Sequence, residues 1–293
     1  MRCYNNIVLV AIIGLGLIGG SIGLALRRGK KPGWEIVGYS RRQETVANAL
    51  SLGAIERGET NLKDAVKQAD FVIIATPVLT VKEIFSAIAP HLSSACIVTD
   101  TASTKVQVMK WAEEILPPTV DFIGGHPMAG RETYGIQAAE AELFQGCTYC
   151  LTSSEKASPK SRDTVIGMVQ KLGAIPFFID AQEHDNLVAG ISHLPMLLSA
   201  ALVSLTTKNP SWSKMSKLAA SGYHDLTRLA SGSPEVNAHI CLSNKEAIVN
   251  WIDKFSQELK RYRQLVAEGD KRLEQAFAEA NKARQEWLNN LSA

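Results

Sequence analysis

The sequence has no strong excess of either charge and few cysteines. Its 31 Lys and Arg residues against 29 Asp and Glu residues leave a formal net charge of +2. That balance provides no basic surplus to hold a polyphosphate backbone, so nucleic acid is not an expected partner. The five cysteines are odd in number and irregularly spaced, in a chain of 293 residues that does not need disulfide staples. These features predict a protein of the reducing cytoplasm.

A metal site is not expected either. Cys147 and Cys150 have the spacing of a redox or zinc pair, but the sequence has no second pair of this kind. Both lie in a predicted strand, where residues three apart point to opposite faces. The two thiols therefore cannot ligate one metal ion.

Long uncharged runs occur twice, and neither is expected to cross a membrane. Residues 7–26 carry no charge and are long enough to span a bilayer. Their glycines would weaken a membrane helix, whereas residues 7–13 are typical of a buried strand that ends in a glycine turn. Residues 187–205 are almost wholly apolar but include Ser192, His193 and Pro195. We predict a buried helix with a polar interruption there.

Apolar β-branched runs alternate with amphipathic helical segments in the first part of the chain. The predicted strands are residues 7–13, 35–39, 71–75, 96–99, 121–124, 147–152 and 176–179. Residues 153–162 are expected to form a polar loop around Pro159, followed by a helix at 163–172. This alternation predicts an α/β Rossmann domain, a doubly wound and mostly parallel sheet, over residues 1–180.

The remainder of the chain, residues 181–293, shows no convincing strand. Seven apolar residues fall on one face of a predicted helix: Ile248, Trp251, Ile252, Phe255, Leu259, Tyr262 and Val266. The helices between residues 245 and 287 carry more apolar surface than one small domain can cover. We therefore predict an all-α C-terminal dimerisation domain and a homodimer.

A glycine motif follows the first predicted strand and opens a helix, which is the arrangement of a dinucleotide site. Gly14 permits a tight turn, Gly16 lets the backbone approach a pyrophosphate, and Gly19 allows close packing of helix on strand. The free N–H groups of the helix N-terminus would face the phosphates. The predicted cofactor residues here are Gly14, Leu15, Gly16, Leu17, Ile18 and Gly19.

The end of the second predicted strand favours NADP over NAD. NAD enzymes usually place an acidic residue there to bind the ribose 2′-hydroxyl. This chain has Ser40, Arg41 and Arg42 instead, and two guanidinium groups with a hydroxyl can bind a 2′-phosphate. The alternative is a solvated basic turn. Thr76 and Pro77, which follow the predicted strand 71–75, complete the predicted cofactor site.

His126 is the candidate general base among six histidines. A nicotinamide enzyme that oxidises an alcohol needs a group to take the hydroxyl proton, and histidine titrates near neutrality. Glycines before His126 and a proline after it predict an irregular loop at the cofactor crevice. We expect kcat/KM to rise with pH through a pKa near the reference value of about 6.5. His184 and His193 are the alternative bases.

Several motifs together resemble the prephenate/arogenate dehydrogenase family, over nearly the whole chain. They are Asp100-Thr101-Ala102-Ser103-Thr104-Lys105, Gly124-Gly125-His126-Pro127-Met128-Ala129-Gly130, His184-Asp185, Ser192-His193-Leu194-Pro195 and Asp225-Leu226-Thr227-Arg228, in this order. The resemblance implies oxidative decarboxylation of a cyclohexadienol acid on the route to tyrosine. It also implies helical domains that pair into a dimer.

The resemblance assigns roles to individual residues. His126 would be the catalytic base, and Ser103 would hydrogen-bond to it and to the substrate hydroxyl. Arg228 would bind a substrate carboxylate, while Asp185 and His193, with Ser192 beside them, would line or gate the substrate pocket. From the residues alone, Ser103 is equally a helix cap, His193 a core histidine and Asp185 a charge near a helix N-terminus. Met196 replaces a histidine present in some relatives.

The substrate and the rival functions stay open at this point. NADP and the compact two-domain organisation favour arogenate, whereas prephenate, with a keto acid in place of the amino acid, is the alternative. Another dehydrogenase with a Rossmann domain and a helical dimer domain, such as a β-hydroxyacid dehydrogenase or a pyrroline carboxylate reductase, would lack the glycine-framed His126. A non-catalytic NADP-sensing module would use Arg41 and Arg42 but not His126.

Overall fold

A computed structural model describes residues 8–28, 33–154 and 156–291. Its first and larger part contains one sheet. The strands are β1 (Val8–Ile13), β2 (Trp34–Tyr39), β3 (Arg57–Glu59), β4 (Phe71–Ile74), β5 (Ile97–Asp100), β6 (Asp121–Pro127), β7 (Thr148–Ser153) and β8 (Ile175–Phe178). Among the described residues they lie in the order β3-β2-β1-β4-β5-β6-β7-β8. Strands β1 to β6 are parallel, and β7 runs antiparallel to β6.

Helices connect the strands and then make up the rest of the chain. Those among the strands are α1 (Leu17–Leu26), α2 (Gln43–Ser51), α3 (Leu62–Val66), α4 (Val81–Ile88), α5 (Val106–Ile115) and α6 (Pro159–Lys171). Those after the sheet are α7 (Ala181–Val188), α8 (Leu194–Thr207), α9 (Trp212–Leu218), α10 (Ser221–Thr227), α11 (Pro234–Ser243), α12 (Lys245–Glu268) and α13 (Arg272–Leu291). A five-residue π-helical turn, Ala189–His193, joins α7 to α8.

Both faces of the sheet are buried under helices. Alternate residues of β1 and β4 enter different hydrophobic clusters: Ile12 and Phe71 lie on one face, Ile13 and Val72 on the other. Strands buried on both faces become continuous apolar runs in the sequence, which is why these two were predictable. The predicted doubly wound Rossmann sheet is confirmed, with helices after it.

Three details differ from the predictions. The short edge strand β3 was missed because Arg57-Gly58-Glu59 contains no apolar run. Pro159 is not in a loop: it is the first residue of α6, where a missing N–H costs nothing, and Ser158 caps that helix. His126 is not on an irregular loop, because β6 continues to Pro127 through its antiparallel pairing with β7. Because His126 lies within the paired strand β6, the sheet determines the direction of its imidazole.

The strand order reverses between β1 and β4, so the connections that follow these two strands diverge. Such a point leaves a crevice at the carboxyl ends of the strands, where open α/β sheets bind ligands. The glycine turn after β1 and the segment after β4 both lie at this edge.

The apolar run Ala181–Thr207 is long and apolar enough to cross a membrane by length and composition, and 28% of its apolar window is buried. It was predicted as a buried helix, but the structure leaves Leu187, Ile191 and Leu205 at least half exposed. The run also contains three buried polar residues, His184, Asp185 and His193. Buried polar residues of this kind favour a helix packed within the protein.

The chain divides into two compact units, Met1–Lys245 and Glu246–Ala293. Within the second unit, α12 and α13 contact each other: the Tyr262 and Phe277 ring centroids are 5.7 Å apart. Much of the predicted apolar face of α12 is exposed, Leu259 by 59% and Val266 by 64%. The domain boundary predicted at residues 180/181 stays a prediction.

Candidate active site

The glycines in and after the turn that follows β1 serve two purposes. Some allow close packing, and one leaves the backbone open to a ligand. Gly14 has φ +103°, and a Cβ there would lie 2.5 Å from the Ala75 carbonyl oxygen. A Cβ on Gly19 would overlap the Gly14 carbonyl, so this glycine lets α1 pack onto the strand. Gly16 has no atom within 4 Å of a Cβ position, so its backbone faces open space. These geometries fit a dinucleotide whose pyrophosphate approaches the backbone at Gly16.

The N-terminus of α1 faces a cavity. Gly16 is its N-cap and makes no side-chain capping hydrogen bond, which leaves N–H groups and the positive end of the helix dipole for an anion. Gly16, Leu17 and Ile18 line this cavity of ≈ 360 Å³, together with Ser103. Leu15, also predicted at the site, is buried in the core beneath the turn.

A second cavity, of ≈ 390 Å³, continues the cleft toward the end of β2. Ser40 and Arg41 line it, and Thr76 and Pro77 line both cavities. Arg42 does not line it: its N–H donates to the Ser40 hydroxyl over 3.3 Å, and it precedes α2 as the N-cap. The two cavities together, here called the cofactor cleft, have the size and position for a nicotinamide dinucleotide.

Two carboxylates also belong to the second cavity. Glu83 and Glu235 line it with Ser40 and Arg41. The guanidinium group of Arg41 would attract an anion placed there, whereas these two carboxylates would repel it. Neither residue could be predicted from the sequence, because they come from α4 and α11, far from β2 in the chain.

His126 lies inside β6, opposite Cys150 of β7, and is only 8% exposed. Its Nδ1 is 2.9 Å from Nε2 of His184, and the Nδ1 of His184 is 2.7 Å from Oδ1 of Asp185. The hydrogen bond of His126 is therefore to His184, whereas the predicted partner was Ser103. We call His126, His184 and Asp185 the histidine chain.

Asp185 is fixed from a second direction. Its carboxylate also accepts the N–H groups of Lys105 and Val106, over 2.7 and 2.9 Å. Lys105 is the N-cap and Val106 the first residue of α5, so Asp185 caps that helix. The alternative prediction for Ser103 as the cap is wrong, because α5 is capped through space by a carboxylate of α7.

A buried ion pair supports the strand that carries His126. Lys105 Nζ bonds to Asp100, and both side chains have 0% exposure. Lys105 Nζ also donates to the Gly125 carbonyl over 2.6 Å, and the Gly125 N–H donates to Asp100 over 3.0 Å. Asp100 accepts the Ala102 N–H as well, over 2.9 Å. The residue before His126 is thus tied to the segment that leads into Ser103.

Burial controls the protonation of the histidines. Burial lowers the pKa of His126 well below 6.5, and nearby positive charge, on His184 when it is protonated, on Lys105 and on His193 when it is protonated, lowers it further. The sequence-based expectation of a value near 6.5 is replaced by a base that is neutral throughout the neutral range. Burial also lowers the pKa of His193 to about 4, against the opposing effect of Asp185.

His193 offers a donor within this region. Asn244 Nδ2 donates to the Asp185 carbonyl over 2.7 Å and lies 3.3 Å from His193 Nδ1. Since an amide nitrogen only donates, His193 accepts at Nδ1 and carries its proton on Nε2. That Nε2 is buried without a hydrogen bond of normal geometry among the described residues, although the backbone of Ser103 is near enough to raise the pKa of His193. A substrate oxygen would satisfy it.

Arg228 forms an ion pair with Glu132, a residue of the loop after β6. The guanidinium is 55% exposed and the carboxylate 27%. Ser192, the remaining predicted substrate residue, is half-buried in the π-helical turn beside His193. Besides Glu83 and Glu235, sequence analysis missed Glu132 as the partner of Arg228 and the hydrogen bonds of Lys105 and His184. Only the position of Glu132, six residues after His126, was a possible sign.

Two family models match the chain. The model of the prephenate dehydrogenase nucleotide-binding domain matches residues 22–176, and that of the dimerization domain matches residues 180–280. A curated relative, the prephenate dehydrogenase of Bacillus subtilis, is 34% identical over 263 residues, which cover 89% of this chain and 71% of the relative.

Solved structures agree with this match. The prephenate dehydrogenase of A. aeolicus in complex with hydroxyphenyl propionate and NAD+ has a TM-score of 0.87 and 31% identity, over 95% of this chain and 98% of the other. The Synechocystis arogenate dehydrogenase has a TM-score of 0.79 and 30% identity, over 96% and 100%. Matches to both halves of the sequence and to whole structures lead to one assignment: this chain belongs to the prephenate dehydrogenase family.

Proposed function

We propose that this protein is an NADP-dependent dehydrogenase that oxidatively decarboxylates arogenate to tyrosine. The observation that carries the reaction type is the buried His126, with Nδ1 bonded to His184 over 2.9 Å and thus with Nε2 available as a base. Asp100 ties the strand of His126 to the segment 101–103, and Ser103 lines the cofactor cleft. A base and a hydride acceptor are needed side by side in such a reaction.

The reaction needs little from the protein beyond placement and one proton transfer. A bound nicotinamide supplies the hydride acceptor. His126 takes the hydroxyl proton at Nε2 while the ring carbinol carbon loses its hydride and becomes ketone-like. Loss of the ring carboxylate as CO2 then leaves an aromatic ring. Ser103 donates to or accepts from the substrate hydroxyl, and the unpartnered His193 Nε2 donates to a substrate oxygen.

The side chain of the substrate is the finer part of the proposal. Arg228 offers bidentate recognition of a carboxylate. Its neighbour Glu132 adds a carboxylate at the same place, where the ammonium group of an amino acid would accompany its carboxylate. That pairing of charges supports arogenate, whose side chain is an amino acid, over the keto acid of prephenate.

A second candidate is prephenate dehydrogenase with NAD. The relatives support it, since the Bacillus subtilis protein is named for prephenate and the A. aeolicus structure holds NAD+. Glu83 and Glu235 in the cleft also act against a 2′-phosphate. The absence of an acidic residue at Ser40, Arg41 and Arg42 supports NADP nonetheless, because NAD recognition normally uses one there.

The deciding experiment is a two-by-two assay of the purified protein with arogenate or prephenate and with NADP or NAD. We expect the highest kcat/KM for arogenate with NADP. Higher kcat/KM for prephenate would replace the proposed substrate, and equal use of NAD would replace the proposed cofactor. No turnover in any of the four combinations would favour the non-catalytic NADP-sensing module.

We also propose a homodimer. Exposed apolar residues recur in the second unit and on α8: Leu205 (74%), Val266 (64%), Phe277 (61%), Leu259 (59%) and Trp287 (58%). Exposed apolar surface of this kind usually marks an interface, and the family model that matches residues 180–280 is named for dimerization. Sedimentation should give about twice the chain mass of 31.8 kDa. A monomer at micromolar concentration would contradict the proposal.

A further inference from the structure

The hydrogen bonds behind His126 determine more than its position. We infer that Asp185 and His184 are positioning residues that hold His126 in the tautomer with its proton on Nδ1, so that Nε2 keeps the lone pair. The inference rests on the proposed function only for what Nε2 acts upon. The tautomer itself is a property of the folded protein and is measurable without any substrate.

The buried end of the histidine chain is the carboxylate of Asp185. A carboxylate only accepts hydrogen bonds, so the Nδ1 of His184, at 2.7 Å from Asp185 Oδ1, must carry a proton. In neutral His184 the other nitrogen, Nε2, is then an acceptor. It lies 2.9 Å from His126 Nδ1, which must donate. The remaining nitrogen of His126, Nε2, is left with a free lone pair.

Asp185 is held so that it cannot exchange this role for another. Three donors converge on its carboxylate: the N–H groups of Lys105 and Val106 on different oxygens, and His184. The Asp185 side chain is 2% exposed. Turning it toward a substrate would leave two N–H groups at the start of α5 without partners. The geometry therefore favours an indirect role for Asp185 over the predicted contact with substrate.

One carboxylate thus connects two predicted catalytic residues. Through His184 it sets the tautomer of His126, and through α5 it fixes the segment just after Ser103. Without a partner on Nδ1, a neutral imidazole is free to carry its proton on Nε2, and that tautomer has no lone pair to offer the substrate hydroxyl. The hydrogen bond to His184 should therefore increase the fraction of molecules in which His126 has a free lone pair on Nε2.

The direct test is the tautomer itself, in the full-length protein without substrate. With histidine labelled by 15N and 13C, the ring correlations at neutral pH should show His126 protonated at Nδ1 and unprotonated at Nε2. The His126→Asn variant identifies the signals by their loss. A His126 ring that carries its proton on Nε2 would overturn the inference, whatever any variant does.

The functional test compares two substitutions at His184. Glutamine places an amide oxygen near the position of Nε2 and so retains an acceptor, whereas leucine has similar bulk and no acceptor. We expect His184→Leu to lower kcat by roughly 10- to 10³-fold, less than the roughly 10²- to 10⁴-fold contribution of the positioned base itself, with KM and cofactor affinity nearly unchanged. His184→Gln should recover activity to within about tenfold of the wild type. His91→Gln, in the sheet unit outside the site, controls for loss of a histidine.

The outcomes separate this inference from the proposed function. Equal kcat for the leucine and glutamine variants would show that the acceptor does not matter, and the inference would fail while the reaction stands. Loss of KM and kcat together, with a lower unfolding temperature, would assign His184 a structural role only. An inactive wild type that still shows the Nδ1-protonated His126 would reject the function and leave the tautomer assignment intact.

Discussion

The cofactor cleft and the histidine chain lie in the same unit of the protein, but the first is formed mainly by backbone and the second by side chains. The cleft is mainly backbone: a glycine turn and a helix N-terminus within six consecutive residues, 14–19. The histidine chain is made of side chains, and His126 and His184 are 58 residues apart in sequence. We therefore expect the cleft to bind its ligand despite changes of side chain but not of backbone shape, whereas the histidine chain should lose its function when single atoms are changed.

The largest expected effect is on the histidine chain. His126→Asn keeps an amide nitrogen near the position of Nδ1, able to donate to His184, but has no group at the position of Nε2. We expect kcat to fall by roughly 10²- to 10⁴-fold, the usual contribution of a positioned base, with cofactor affinity preserved. Steady-state kinetics and a cofactor titration measure both. Near-wild-type turnover would move the base to another residue and end the comparison.

The pH profile of the wild type sharpens the same prediction. Burial, with His184, Lys105 and His193 nearby, lowers the pKa of His126 below 6.5. Since the neutral ring is the base, kcat/KM should stay level as pH falls through 6.5 and decline only at lower pH. Asp185, Asp100 and Tyr149 also surround this site. An inflection at 6.5 assigned to His126 would mean that the imidazole is hydrated rather than buried.

The same contrast explains what the sequence could predict. Local patterns predict the glycine motif, the parallel sheet and His126 as the candidate base. This is possible because residues adjacent in the sequence determine a turn or a strand. The partner of His126 could not be predicted, since Ser103 and His184 are equally plausible donors or acceptors until the fold brings one of them to Nδ1. Glu83 and Glu235 were missed for the same reason: no local pattern marks a residue whose neighbours come from other elements.

A smaller effect is expected at Arg228, which is an exposed charge paired with Glu132 rather than a buried link. Arg228→Ala should raise KM for the cyclohexadienol by about 10- to 100-fold, equivalent to about 1.4 to 2.8 kcal/mol, with cofactor affinity unchanged. The guanidinium is 55% exposed and already paired with Glu132, which limits the loss. Equal losses for substrate and cofactor would indicate misfolding or a wrong assignment.

The cleft offers a pair of glycine substitutions that should behave differently. Gly16→Ala adds a Cβ where no atom lies within 4 Å, so we expect an unchanged unfolding temperature and a cofactor Kd raised by roughly tenfold or more as the pyrophosphate loses its approach. Gly19→Ala forces a Cβ into the Gly14 carbonyl and should cost about 1–3 kcal/mol of stability. Similar unfolding temperatures for the two variants would contradict the separation of binding from packing.

Cofactor preference tests whether any side chain matters in the cleft. Arg41 lines the second cavity and Arg42 does not. We expect wild-type kcat/KM to favour NADP over NAD by roughly tenfold, the value of one charge-assisted contact, and Arg41→Ala to remove most of that preference. Arg42→Ala is the matched control and should keep it. Ser40→Asp should erase or reverse it, since an aspartate binds the free ribose hydroxyl and repels a phosphate.

The smallest expected effect is on the pH dependence of the free energy of unfolding. It should depend on the buried His193 and not on the residues of the cleft. Burial lowers the pKa of His193 to about 4 in the folded protein, while the unfolded value is near 6.5. As pH falls below 6.5 the unfolded chain binds this proton first, so the free energy of unfolding should decline between pH 6.5 and about 4. Of the loss between pH 7 and pH 5, His193 should account for about 1 to 2 kcal/mol.

His193→Asn keeps an acceptor toward Asn244 but has no titrating ring, so its urea midpoint should fall less over the same interval. The cleft variants Arg42→Ala and Gly16→Ala should follow the wild type, because neither removes a buried imidazole. If His193→Asn declined as steeply as the wild type, the pH sensitivity would have to come from other groups, with His126 the first to test.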